Sequence, residues 1–210
     1  MSSRFGLILN EGLGIYYTNA VSKQLYPDQG DSLGHLNLGV RYRNGVGVDK
    51  NAAKAAEYFR NAAESGNARA QYCLGFLYYN GEGVAPDREQ AFKWFSKSAE
   101  QGFADAECAL GKCYHDENRP SEAVMWYRKA AEKDLPQAQY NLGHCYAYGD
   151  GVAASYAHAC KWFLLAASQG NEAALKSLPA FLWAIPADDL AEGGRLADQF
   201  KAARADGEAT

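Results

Sequence analysis

Histidine and cysteine are the side chains with which this chain could do chemistry: His35, His115, His144 and His158 beside five cysteines. His115 and His144 lie within two residues of Cys113 and Cys145, and two such pairs brought together would make a His/Cys zinc site. The spacing argues against it. Cys113 and Cys145 each stand three residues after the leucine of a Leu-Gly pair, Leu110-Gly111 and Leu142-Gly143. They therefore share one register of a repeated unit, with Cα atoms about 10 Å apart at ordinary helix-packing distance. That exceeds the roughly 7 Å a disulfide tolerates. An odd number of cysteines without paired spacing is no disulfide framework, and small residues at tight helix contacts are expected to be reduced and buried. No nucleophile elbow, phosphate loop, dinucleotide fingerprint, HExxH or CxxC is present. The strings Gly45-Val46-Gly47 and Gly81-Glu82-Gly83 lack the Lys-Ser/Thr that completes a phosphate cradle. No set of polar residues converges on one enclosed site, so no catalytic residue, metal or cofactor is expected.

What remains to be explained is repetition. The stretch from Leu38 returns at Leu74 and at Leu142, and a shorter copy, four residues less, starts at Leu110. Self-similarity at this period marks a solenoid, in which each unit buries its apolar face against its neighbours and the array has no internal boundary. Within a unit, Ala70, Leu74, Leu77 and Tyr78, then Ala91, Trp94, Phe95, Ser98 and Ala99, follow helical spacing and predict two amphipathic helices. Asn80 to Val84, Asn44 to Val48 and Tyr148 to Val152 form Gly-x-Gly-Val turns between them, and Gly66, Gly102 and Gly170 end the second helices. Asp116 to Pro120 replaces the turn in the short copy. Gly39, Gly75, Gly111 and Gly143 fall mid-helix, where glycine costs about 0.5 to 1 kcal/mol relative to alanine. Close approach of small residues on the second helix (Ala62, Ala63; Ser98, Ala99; Ala130, Ala131; Ala166, Ala167) is the expected compensation. Phe59, Trp94, Trp126 and Trp162 would wedge beside that contact as core.

Composition fits a folded, water-soluble chain, with 48% hydrophobic and 22% charged residues, and a net charge of -4 spread along it removes the footprint of a nucleic-acid binder. The apolar run Phe5 to Leu9 is too short for a signal-peptide core, and nothing approaches the ~20 apolar residues of a membrane span. A cytoplasmic location is expected.

The pattern A-x-x-x-L-G-x-x-Y-x-x-G-x-G-V, followed by K/Q-A-x-x-W/Y-F-x-x-A/S-A-x-x-G, resembles the Sel1-like repeat, a relative of the tetratricopeptide repeat. The resemblance implies an all-α fold, a right-handed α-solenoid of antiparallel helix pairs. The expected organisation is a truncated repeat or cap at 1–30, repeats at 31–66, 67–102, 103–134 (short) and 135–170, capping helices at 171–204 and a frayed tail at 205–210. The chain aligns as if it begins inside a repeat at Phe5, with a shortened second helix from Thr18 to Tyr26. Glu172 to Ile185 reads as a decayed first helix without the Leu-Gly pair, and a last amphipathic helix starts at Pro186 and runs to about Ala203.

In the fold so implied, first helices line a concave surface. The residues three and two before the central glycine, and one, four and five after it, face that surface. They are Asn37, Val40, Arg43 and Asn44; Tyr72, Cys73, Phe76, Tyr79 and Asn80; Cys108, Lys112, His115 and Asp116; and Tyr140, Asn141, His144 and Tyr148. Tyrosine gives large amphipathic area at low entropic cost and asparagine pairs with peptide groups, which suits an extended segment. Tyr42, Tyr78, Tyr114 and Tyr146 belong instead to the packing set. Family resemblance thus implies a non-enzymatic adaptor whose partner is a protein or peptide, with a monomer favoured by a small margin. The alternative is a structural or oligomerisation module, or part of a longer array, docking through its repeat ends.

Overall fold

A computed structural model describes residues 31–208. Among them ten α-helices and no strands occur: α1 (Ser32–Asn44), α2 (Ala52–Glu64), α3 (Ala68–Asn80), α4 (Arg88–Glu100), α5 (Ala104–Asp116), α6 (Pro120–Glu132), α7 (Pro136–Tyr148), α8 (Tyr156–Ser168), α9 (Glu172–Ala184) and α10 (Ala187–Glu208). The fold is all-α, built from the antiparallel helix pairs of an α-solenoid. The expected repeat fragment from Phe5 and the short helix Thr18 to Tyr26 lie outside the described residues. Packing divides the chain into two compact units, one ending at Trp94 and the other starting at Phe95, inside α4.

Local chemistry sets the helix ends. Asn51, Asn67 and Asn171 cap α2, α3 and α9 by accepting from the backbone N–H of Lys54, Ala70 and Ala174. Gly45, Gly81 and Gly149 close α1, α3 and α7 in the left-handed conformation, their N–H groups bonded to Arg41, Leu77 and Cys145 carbonyls. The short repeat does this without glycine. Asn118 (φ 58°) and Asp134 (φ 68°) take the left-handed role, as residue types that tolerate it.

In the first unit α1 packs on α2 and α2 on α3, around Leu36, Phe59, Leu74, Leu77 and Trp94. In the second, α5, α6, α7, α8 and α9 pack in succession, around Val124, Tyr127, Leu142, Trp162 and Leu165. Val84 and Val152, the valines after the Gly-x-Gly turns, lie against these cores.

The mid-helix glycines meet a different partner from the one expected. A Cβ at Gly39 would lie 2.5 Å from Cδ1 of Phe59, at Gly111 2.5 Å from Cδ1 of Tyr127, and at Gly143 2.8 Å from Cδ1 of Phe163. An aromatic ring lies flat on each glycine, so the contact is small against large. The alanines are buried too, but the steric need for glycine comes from the ring. This also corrects the aromatic register. Phe59 corresponds to Tyr127 and Phe163, the residues after Trp126 and Trp162. Trp94 and Trp162 are core as expected, whereas Trp126 is only half-buried.

One buried polar register recurs. Gln71 donates to the Ala63 carbonyl (3.1 Å) and Gln139 to Asp134 Oδ1 (2.7 Å), while the same position in the short repeat is Glu107, which accepts from Lys133 Nζ (2.6 Å). All five cysteines are buried free thiols. Burial pushes the Cys108 thiol up to about 12 and that of Cys145 up to about 11.

The last helix packs chiefly on α8, with Gly193 against Cys160 and the Phe200 ring 5.4 Å from that of Trp162. It runs to Glu208, past the expected end near Ala203, because Arg204 anchors it. Its Nη1 donates to the Glu132 carbonyl (2.8 Å) and its Nε lies 3.8 Å from Asp134 Oδ2.

Candidate functional site

In the first unit, the expected face residues gather around Phe76. Its ring lies 6.4 Å from that of Tyr72, and the Arg43 guanidinium carbon stands 4.6 Å from its centroid. Arg43 Nε also donates to Glu82 Oε2 at 3.2 Å. Tyr79 is covered differently, by Arg88 at 3.8 Å from its ring centroid. Asn80 turns back on its own helix, its Nδ2 donating to the Phe76 carbonyl (3.0 Å). Asn37 is half-buried on α1, and Cys73 is buried and offers no surface.

In the second unit, Lys112 and His115 are exposed on α5, and His115 Nε2 pairs with Asp150 Oδ2 at 3.0 Å. Asn141 has both ends of its amide engaged: Nδ2 lies 3.6 Å from Cys108 Sγ, and Oδ1 accepts from Gln137 (3.0 Å). Cys108, like Cys73, is buried. Among the described residues no group of three or more His, Cys, Asp or Glu side chains is placed to share a metal ion.

Tyr140, His144 and Tyr148 come together as one wall of an open groove of about 520 Å³. Tyr156 and Phe163 of α8 form its floor, and Ser177, Ala180, Phe181 and Ala184 of α9 form the opposite wall. The rings interlock: Tyr140 with Phe163 at 5.7 Å, Phe163 edge-on to Phe181 at 4.9 Å, and His144 with Tyr148 at 4.5 Å. The size is that of a ligand cleft. Tyr148 is 74% exposed, unusual for so large a ring.

The sequence pattern of the Sel1 repeat matches residues 32–67, 68–103, 104–135 and 136–171. The chain belongs to the Sel1 repeat family. Among solved structures, a Sel1 repeat protein from Oxalobacter formigenes is 34% identical (TM-score 0.64), with 75% of this chain covering 67% of that one. An antigen with the same fold, described as protective and present in uropathogenic Escherichia coli strains, is 30% identical (TM-score 0.53). There, 90% of this chain spans half the length of its relative. An immunity protein from Pseudomonas aeruginosa, 20% identical with TM-score 0.54 over 81% of this chain and 66% of its own, shares the fold. No curated protein matches the chain. Sel1 repeats generally serve as protein–protein interaction scaffolds and are typically non-enzymatic. No helix among the described residues is long and apolar enough to cross a membrane.

Two ion pairs occupy the same register of the Sel1 repeats. Arg43 and His115 each stand four residues after a central glycine, and each pairs with the acidic residue between the turn glycines of the following repeat, Glu82 or Asp150. The signal was present as a base in one copy and an acid in the next. Tyr156, Phe163 and Phe181 were missed because they lie on second helices or on α9, outside the first-helix register.

Burial lowers the His144 pKa below its ordinary value, His115 adds to this, and Asp150 opposes it. The folded chain therefore takes up a proton there less readily than the unfolded chain. The stabilising contribution is complete above about pH 6.5, the ordinary histidine value, and is lost as pH falls below it. Melting temperature should drop on acidification from about pH 7 to 5, and His144→Gln should flatten part of that drop. Thermal melts across this range check it, and identical slopes for both proteins would count against the assignment.

Proposed function

We propose that this Sel1 repeat chain is a non-enzymatic scaffold that binds a protein or peptide segment along the first-helix faces of its repeats. The observation that carries the reading is the groove walled by Tyr140, His144 and Tyr148, three face positions of one repeat that meet at a cleft of ligand size. Repeat arrays recognise partners through such surfaces, and exposed tyrosines supply binding energy at little conformational cost. In the first unit Asn37, Arg43, Tyr72, Phe76, Tyr79 and Asn80 are the proposed contacts. In the second, Lys112, His115 and Asn141 are further proposed contacts beside the groove residues.

The reading is tested by panning a random-peptide display library on the immobilised protein. Enriched peptides should bind at least ten-fold more weakly to a Tyr140→Ala, Tyr148→Ala variant, a loss of about 1.4 kcal/mol or more. Equal binding to a variant with unchanged helicity would move recognition away from this face.

A further inference from the structure

Histidine is the residue type whose charge ordinarily changes between about pH 5 and 8, and it lines the groove once, as His144. Its imidazole stands on the α7 wall one turn from Tyr140 and one turn from Tyr148, with ring centroids at 6.4 and 4.5 Å. It reaches solvent through the open groove. The packing around it already disfavours the charged form: burial holds its pKa below the ordinary histidine value, and His115 acts in the same direction.

Few groups face the imidazole that could balance a charge. α7 itself adds the Tyr140 and Tyr148 phenols, and α8 adds that of Tyr156. α5 presents His115 and, in the register of His144, the exposed Lys112. The lining residues of α9 are uncharged. The carboxylate that favours a proton on His144 is Asp150, in the turn before α8, and its Oδ2 is already held by His115 Nε2 at 3.0 Å. In the empty groove a proton on His144 is therefore stabilised chiefly by water. A segment lying against the α7 wall takes that water away. The neutral ring loses little by this, whereas the imidazolium loses its hydration with no free carboxylate in its place. Occupancy thus lowers the proton affinity of His144, and by linkage the proton lowers affinity for the segment by the same factor.

We propose that His144 is a proton switch on the groove: a bound segment is held while the imidazole is neutral and released as it takes up a proton. Binding is complete above about pH 6.5, the ordinary histidine value, and falls as pH drops below it. This rests on the groove being the recognition site proposed above, and adds its regulation.

The probe is an end-blocked heptapeptide recovered at about pH 7.5 from a synthetic bead library made without Asp, Glu or His, so that over the range tested only the protein titrates. Its affinity for the full chain is measured by fluorescence anisotropy from about pH 7.5 to 5.0, with circular dichroism at each pH to separate release from unfolding. Affinity should fall about three-fold or more for the wild type and stay level for His144→Gln, whatever that variant's affinity at neutral pH. His115→Gln frees Asp150 for His144, so the fall should come at a higher pH. A fall that persists in His144→Gln, or an affinity that rises on acidification, overturns the switch. A fall unmoved by His115→Gln overturns the part given to Asp150. Level affinity in the wild type, with binding still lost in Tyr140→Ala, Tyr148→Ala, leaves the groove standing without the switch. If no heptapeptide binds, or the tyrosine variant binds as the wild type does, the groove reading and the switch fall together.

Discussion

Gly151→Ala is expected to destabilise the protein by about 3 kcal/mol, whereas Gly170→Ala, also at a left-handed glycine, should cost only about 1 kcal/mol. Both residues have positive φ, 71° and 81°, so both substitutions carry the same backbone penalty. They differ in surroundings. A Cβ at Gly170 meets nothing within 4 Å, whereas at Gly151 it would collide with the backbone of Pro120 and lie 2.7 Å from Ser121 N. Pro120 is the first residue of α6, so the turn of one repeat lies backbone to backbone on the helix start of the repeat before. Backbone does not yield as a side-chain tip does. Gly83 meets Ala52 and Ala53, at the start of α2, in the same way, and Gly83→Ala should behave like Gly151→Ala. For a chain of this size the loss at Gly151 is a fall in Tm of about 10 °C. Chemical denaturation of Gly151→Ala and Gly170→Ala beside the wild type checks the difference. Equal losses would mean that φ alone, and not repeat-to-repeat contact, demands the second turn glycine.

Phe163→Ala should cost about 4 kcal/mol, since the ring is nearly fully buried and its loss leaves a cavity between α7 and α8. The more discriminating expectation is a change of sign. Gly143→Ala alone should destabilise by about 1 kcal/mol, because the new methyl would press on the Phe163 ring and overpacking outweighs the gain in helix propensity. With the ring removed by Phe163→Ala, the same Gly143→Ala change should stabilise by about 0.5 to 1 kcal/mol, the intrinsic preference for alanine in a helix. A double-mutant cycle reads the coupling directly. If Gly143→Ala has the same effect in both backgrounds, the ring is not what keeps glycine in the middle of α7. Phe163→Ala also removes the groove floor, so its binding loss is read only after its stability loss is known.

Features encoded within a few residues were legible in the sequence: four helix pairs, their glycine turns and the membership of Leu74, Trp94 or Leu142 in a core. Helical periodicity and a glycine after the last apolar position act locally. A pattern written four times repeats the evidence for each. Tyr140, His144 and Tyr148, which line one groove, were singled out for the same reason, as members of a fixed register left over from packing.

Tertiary structure decided whatever depends on the approach of separate helices. It placed a ring rather than alanines over Gly39, Gly111 and Gly143. It joined Arg43 to Glu82 across 39 residues and His115 to Asp150 across 35, and drew Asn141 into contact with Cys108. It laid α10 on α8, so that α9, read in sequence as decay, became a groove wall. Local propensity fixes what each helix is, and side-chain volume at the contacts fixes what each face meets. The second cannot be read from spacing, because alanine and phenylalanine one position apart obey the same helical period.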